Sequence, residues 1–182
     1  WQPGCEAGNG LADLLLGKCS PSARLTMSVP YGVGHVPCFY NRAPTGRPQH
    51  GNYQDAVMRG ARYPFGFGLT YSKFSYSPTV VADRTAKATV TNVGNREATE
   101  TVQLYIRQKV CRAGWRPVRE LRGFRKVTLR PGASAEVSFA LGDHVLGYTD
   151  RAGRRVCDCG EYEVWIVPNA ASDVAGTSFA WK

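Results

Sequence analysis

A mostly β fold, a β-sandwich of immunoglobulin-like size preceded by a segment unable to bury a core alone, is what the 182 residues predict. Three observations carry this expectation. From about Tyr71 onward, apolar residues alternate with polar ones in short runs: Val102, Leu104 and Ile106; Val137, Phe139 and Leu141; Tyr162, Val164 and Ile166. Turn-forming clusters separate the runs, at Asn92-Val93-Gly94-Asn95, Arg130-Pro131-Gly132 and Asp150-Arg151-Ala152-Gly153. Roughly seven or eight such strands without an intervening helix is the pattern of two packed antiparallel sheets.

Taken in order, residues 8–17 read as the one convincing helix. Asn9 is placed to cap its start, Leu11, Leu14 and Leu15 give a helical stripe, and Gly17 is a stop. Cys19-Ser20-Pro21-Ser22 is a turn, and Leu25–Val29 alternates like a strand that ends at Pro30. Residues 31–66 are rich in Gly, Pro, Asn and Arg without a sustained period. So long an irregular stretch reads as an arm laid on a neighbour, including Tyr31–His35 and Arg42–Pro48. The division predicted is therefore 1–70 and 71–182. Within the second part, further strands are expected at Lys87–Asn92, Phe124–Leu129, Val145–Thr149 and Thr177–Trp181.

Composition narrows the function classes. With 43% hydrophobic and 20% charged residues the chain is globular in type, and it has no apolar run long enough to span a membrane. The formal net charge is +9, with its densest basic stretch at Arg112, Arg116, Arg119, Arg122, Arg125, Lys126 and Arg130. Only Trp115 and Phe124 accompany that stretch and no nucleic-acid motif does, so a solvated basic face is expected rather than a nucleic-acid surface. Six cysteines, Cys5, Cys19, Cys38, Cys111, Cys157 and Cys159, lean toward disulfides and an oxidising compartment, with Cys111 to Cys157 or Cys159 the first pairing to test. The Cys157-Asp158-Cys159 spacing is one residue too tight for a zinc knuckle, and His35, His50 and His144 are scattered; no metal or other cofactor is expected. The start at Trp1, without Met or leader, suggests a processed product or part of something larger.

Several ordered motifs resemble glycoside hydrolase family 3. Trp1–Gly17, reading W-Q-P-G-C-E-A-G-N-G-L-A-D-L-L-L-G, is similar to a segment near the end of that family's second, α/β sandwich domain. Ser20-Pro21-Ser22-Ala23-Arg24-Leu25-Thr26 follows it, with Ala23 and Thr26 standing where Gly and Pro are typical. Tyr63–Tyr71 (Y-P-F-G-F-G-L-T-Y) looks like the family's interdomain junction. Thr91–Gly94, Val102–Ile106, Glu120–Val127, Leu129–Gly132 and Gly160–Val164 resemble its fibronectin type III-like domain.

The resemblance implies a C-terminal, scaffolding part of a secreted or cell-surface β-glycosidase acting on β-glucosides or β-xylosides. Its partners would be the upstream catalytic domains and, through them, an oligosaccharide. Retention of configuration needs two carboxylates about 5–5.5 Å apart, and the family's catalytic Asp and Glu lie upstream of the segment seen here. No catalytic residue is therefore carried over. Glu6 and Asp13 sit at and within the helix, and Glu161 and Glu163 share a strand face; all four read as structural. Trp115 and Trp165, or Tyr71 and Tyr105, are candidate aromatics for stacking on sugar rings, but for strand residues such as Trp165 and Tyr105 burial in the sandwich or on a domain contact is expected instead. His35 is expected to pack, with a place beside a sugar as the sharper alternative. The loop 109–117, with Trp115, Arg112 and Arg116, is where the domain would lean over a neighbouring active site. Two other classes compete: a non-catalytic module of an extracellular assembly, alone or with other chains, and a free-standing carbohydrate-binding sandwich.

Overall fold

The structure, a computed structural model, describes residues 3–43, 60–112 and 114–182. Helix α1 (Ala7–Leu15) begins at Glu6. Asn9, the expected cap, lies inside it and donates from Nδ2 to Glu6 Oε2 at 2.6 Å. The stop is where the sequence puts it. Gly17 has φ +70, its N–H donates to the Leu14 carbonyl, and the Lys18 N–H reaches back to Asp13. That pair of bonds is a Schellman termination, which favours a residue without Cβ at the left-handed position. None of the residues of α1 is buried.

The expected strand at Leu25–Val29 does not form. Leu25 and Val29 instead make paired backbone bonds to the 63–67 segment, Leu25 N–H to Phe67 O and Val29 N–H to Tyr63 O, so two irregular stretches run side by side. A 3-10 turn, Val33–His35, is the other regular element here. The expected arm at 42–48 lies outside the described residues from position 44 onward.

Two sheets build the sandwich. In the first, β1 (Phe74–Tyr76) and β2 (Val80–Ala82) pair with opposite ends of β3 (Thr85–Asn92), whose other edge pairs along its length with β6 (Ser134–Ala140). In the second, the order is β10-β9-β4-β5, from β10 (Thr177–Trp181), β9 (Gly160–Val167), β4 (Ala98–Gln108) and β5 (Glu120–Leu129), all antiparallel. A β-bulge at Leu104/Tyr105 shifts the register between β4 and β5. Between the sheets lies one core: Ala86, Ala88 and Val90 from β3, Val137 and Phe139 from β6, Val102, Leu104 and Ile106 from β4, and Tyr162, Val164 and Ile166 from β9. The alternation read from the sequence supplies these side chains, because successive residues of a strand face opposite sides.

The expected strand at Val145–Thr149 is a correction. Residues Asp143–Leu146 form the short helical turn α2, with Val145 and Leu146 N–H groups both donating to Gly142 O, and the chain then pairs β7 (Tyr148–Thr149) with β8 (Arg155–Val156). A short apolar run has no period long enough to separate a helical turn from a strand. Burying Val145 and Leu146 at the sandwich end settles it in favour of the turn.

The disulfide expectation is also overturned: all six cysteines are free thiols. Cys5 and Cys19 stand on either side of α1, whose nine residues span about 14 Å, twice the Cα reach of a disulfide. The Cys111 thiol lies against the Tyr148 hydroxyl, while the Cys157 thiol lies against Tyr162 and Asp143. The Asp158 side chain, held by Gln108, Tyr148 and the Arg112 N–H, stands among them.

Candidate functional site: the seam along β4 and the β4–β5 loop

Strand β4 is buried on both faces, which its alternating sequence does not foretell. Val102, Leu104 and Ile106 enter the core, whereas Thr101, Gln103 and Tyr105 point the other way and are covered by the N-terminal segment. Thr101 Oγ1 donates to Ser22 O at 2.8 Å. Gln103 Nε2 donates to the carbonyls of Gly66 and Pro168, and its Oε1 accepts from the Tyr105 hydroxyl at 2.6 Å. Tyr40 stacks on Phe65 with ring centroids 4.0 Å apart and meets Tyr105 edge-on at 6.1 Å. Its hydroxyl accepts from the Leu121 N–H at 3.3 Å. Burial raises the pKa of both Tyr40 and Tyr105 above the ordinary phenolic value, since it disfavours a phenolate.

The strongest polar contact of the seam is an ion pair. Arg24 Nη2 meets Glu100 Oε2 at 2.6 Å, with 8% and 3% of the two side chains exposed. The Tyr76 hydroxyl satisfies the other carboxylate oxygen at 2.8 Å. Burial beside that carboxylate drives the Tyr76 pKa far above its usual value. Arg24, Gly68, Thr70, Tyr76 and Glu100 also line a cleft of about 140 Å³. Gly66 explains the close approach: its φ is +80, and a Cβ there would land on Gln103 Oε1 and the Tyr105 hydroxyl. Of the seam's residues the sequence expects burial of Tyr105 alone; the pairing of Arg24 with Glu100 and the burial of Gln103 are not expected from it. The one available signal was the polar Gln103 in an apolar strand, and alternation reads it as solvent-facing.

At the other end of β4 the loop 109–119 leads to β5. It is fixed at several points: Lys109 to Glu161, the Arg112 N–H to Asp158 Oδ2 at 3.2 Å, a bridge between Cys111 and Gly114, and the Val118 N–H to Arg42 O at 3.0 Å. Burial pulls the Asp158 carboxyl upward, but hydrogen bonds from Arg112, Tyr148 and Gln108 outweigh it and hold the pKa below the usual carboxylate value. Arg112 is exposed at the loop surface. Arg116, grouped with it in the sequence, is instead buried, paired to Glu120 at 2.9 Å and set over the Tyr148 ring. Trp115, between them, is 64% exposed.

The basic stretch thus divides. Arg116, Arg119 and Arg122 are structural, with Arg119 lying over the Trp165 ring at 4.4 Å and donating to Ala170 O and Ser172 O. Desolvation lowers the pKa of both Arg119 and Arg122. Arg125, Lys126 and Arg130 are solvated, as expected. Trp165 and Tyr105 are buried, also as expected. Glu161 and Glu163 sit in ion pairs with Lys109 and Arg107, and Asp13 pairs with Lys18. Both ring nitrogens of His35 are buried and find no hydrogen-bond partner among the described residues, and the Tyr31 ring lies 6.2 Å away. No helix among the described residues is long and apolar enough to cross a membrane.

Comparison with known proteins gives the architecture its relatives. Residues 1–71 match the profile of the glycosyl hydrolase family 3 C-terminal domain, and residues 100–170 match a fibronectin type III-like domain. A periplasmic beta-glucosidase of Salmonella typhimurium is 36% identical over 94% of this chain, and a beta-xylosidase of Formosa agariphila 32% identical over 95%. The chain spans about a quarter of the length of either relative, 24% and 25% respectively. Among solved structures, beta-glucosidase from Listeria innocua in complex with glucose superposes with a TM-score of 0.83 at 30% identity, over 99% of this chain and 26% of that one. A β-glucosidase from Erythrobacter marinus gives 0.84 at 32% identity, over 95% and 23%. With both domain profiles matched in order and the fold shared throughout, the chain belongs to glycoside hydrolase family 3 and carries the fibronectin type III-like sandwich of its members.

Proposed function

We propose that this chain is the C-terminal accessory portion of a secreted, retaining β-glycosidase acting on β-glucosides or β-xylosides, with the catalytic carboxylates outside it. The observation that carries this reading is the contrast between its two parts. The sandwich has a closed core, whereas α1 buries none of its residues and leaves Leu11, Leu15 and Leu16 58%, 74% and 73% exposed. Such a contiguous apolar face on a short helix is built to be covered, and the remainder of an α/β domain is the cover that the matched relatives supply. The unit boundary is proposed near residue 70, immediately after the seam residues Phe65–Gly68. In this reading the sandwich holds residues 20–43 and 60–70 in place through the seam, and so fixes the edge of the α/β domain that borders the catalytic cleft.

The periplasmic location named for the Salmonella relative supports export of the parent. The test is turnover of chromogenic β-glucosides and β-xylosides by the intact protein that contains this chain, with retention followed by NMR of the released anomer. Turnover with retention is expected. Absence of turnover on every such substrate would overturn the reading in favour of a non-catalytic module.

A further inference from the structure

We propose that residues 20–43 and 60–70 open and close as one cooperative unit with the sandwich, latched at Gln103, and that residues 17–19 are the joint between this unit and α1. The boundary near residue 70 divides the chain by architecture, whereas the division by stability falls before Ser20. The inference stands on contacts within this chain, so it holds whether or not the parent cleaves a glycoside. Its first support is a second, smaller core on the outer face of the β10-β9-β4-β5 sheet. Tyr105 is fully buried there, with Trp165 and Val167 at 6% and 3% exposed. Of the side chains packed on these three, Tyr40 and Phe65 come from the N-terminal segment, Leu121 from β5 and Ala170 from the turn after β9. Lifting the segment away would return the Tyr105 ring to water, which makes its detachment a step of global unfolding rather than a local fraying.

The second support is the place of Gln103. Its amide joins three stretches of chain: β4, which carries it, the N-terminal segment through Gly66 O, and the turn after β9 through Pro168 O. The Ala170 N–H completes the circuit by donating to Phe65 O at 3.0 Å. Both polar atoms of the side chain are engaged, since Oε1 takes the Tyr105 hydroxyl, and the residue is 3% exposed. Taking the amide away strands two carbonyls and a hydroxyl at once, a cost that the segment, the strand and the turn share.

The joint follows from where these ties stop. Toward the start of β4 the segment is still held, by the buried Arg24–Glu100 pair and by Thr101 Oγ1 on Ser22 O. Ser20 is the last such point: its Oγ meets Thr70 Oγ1 at 2.9 Å and accepts from the Tyr71 N–H at 3.1 Å. Helix α1, beyond it, buries no residue and is tied to the rest by Tyr71 Oη on Leu14 O and Arg96 Nη2 on Gly17 O, both exposed. Exposed hydrogen bonds without apolar burial open at little cost. Gly17, at φ +70, then gives the chain its freedom to turn between the two.

Native-state hydrogen exchange of the unaltered chain at increasing urea tests both parts. The amides of Leu25, Val29, Gly66 and Ala170, whose hydrogen bonds belong to the seam, are expected to open with the same urea dependence as those of β4 and β9. The amides of Gly10 and Leu16, bonded within α1, should exchange about a hundredfold faster and with no urea dependence. Seam amides that open locally while β4 and β9 stay protected would overturn the cooperative unit, and α1 amides that open only with the sandwich would overturn the joint. Gln103→Met tests the latch: protection should fall by a common factor, about tenfold or more, at the seam and in β4 and β9 alike. A loss confined to Gly66 and Ala170 would show that Gln103 holds only its own two carbonyls. If Gln103→Met does not fold, the urea dependence of the unaltered chain decides the proposal by itself.

Discussion

Glu100 shows how much of this molecule rests on one buried charge. Its carboxylate is taken from water and compensated on both oxygens, by Arg24 and by the Tyr76 hydroxyl. A buried pair of this kind adds little over a well-packed apolar replacement, but removing one partner strands the other. Glu100→Ala is therefore expected to destabilise the protein by about 3–5 kcal/mol, while Arg24→Met combined with Glu100→Leu recovers most of that loss. Urea unfolding of the two variants beside the wild type checks both statements, and equal stability of Glu100→Ala and wild type would refute the first. Gly66→Ala belongs to the same scale. A methyl group there meets Gln103 and Tyr105 and also forces a Cβ onto a backbone at φ +80, so a cost of about 1–3 kcal/mol is expected in the same measurement.

Elements differ in how far their sequences announce them. Strand β3 alternates and its burial alternates with it, because one face meets the core and the other meets water. Strand β4 alternates as cleanly, yet its burial does not, because Phe65, Gly66 and Tyr40 arrive from dozens of residues upstream to cover Gln103 and Tyr105. No local pattern encodes that arrival. The same limit hid the seam: Arg24 and Glu100 are 76 positions apart, and nothing in either neighbourhood marks them as partners. The helix stop at Gly17 was legible because a Schellman motif is local. The turn at Asp143–Leu146 was not, because its four residues carry no period. Arg116 and Arg112 read alike in sequence and part in the structure, since only one finds Glu120 and the Tyr148 ring.

The β4–β5 loop carries the prediction proper to this scale. Asp158 accepts hydrogen bonds from the Arg112 N–H, Tyr148 and Gln108, and its pKa is lower folded than unfolded. A depressed folded pKa means that its contribution is fully present above the unfolded value, about 3.9, and is lost as pH falls through the folded one. On acidification the Arg112 amide should accordingly lose hydrogen-exchange protection below about pH 4, before the core amides of β3 and β9 do. In Asp158→Asn, whose amide keeps one acceptor and no charge, protection at Arg112 should be lower at neutral pH and flat across that range. An Arg112 amide that exchanges at the same protected rate at low and neutral pH would remove this account of the loop.

At the scale of the whole molecule, the sandwich and the N-terminal segment obey different rules of stability. The sandwich closes around Leu104, Ile106, Tyr162 and Val164, all fully buried, and needs no neighbour to exclude water from them. Helix α1 is tied on at its end by hydrogen bonds, Tyr71 Oη to Leu14 O and Arg96 Nη2 to Gly17 O, while its leucines face outward. Each leucine is worth about 1.5–3 kcal/mol when a partner covers it and almost nothing to the fold when none does. Replacing Leu11, Leu15 and Leu16 together by Ser should therefore leave the melting temperature of the isolated chain within a degree or two. The same triple change should suppress self-association of that chain in sedimentation velocity, since a patch of three exposed leucines is what would drive it. In the intact protein the three serines should instead lower Tm by several degrees, because there the leucines are proposed to be inside. An intact protein whose melting is indifferent to the triple substitution would mean that this face is not covered by the remainder of an α/β domain, and the chain's place at the edge of a larger enzyme would have to be given up.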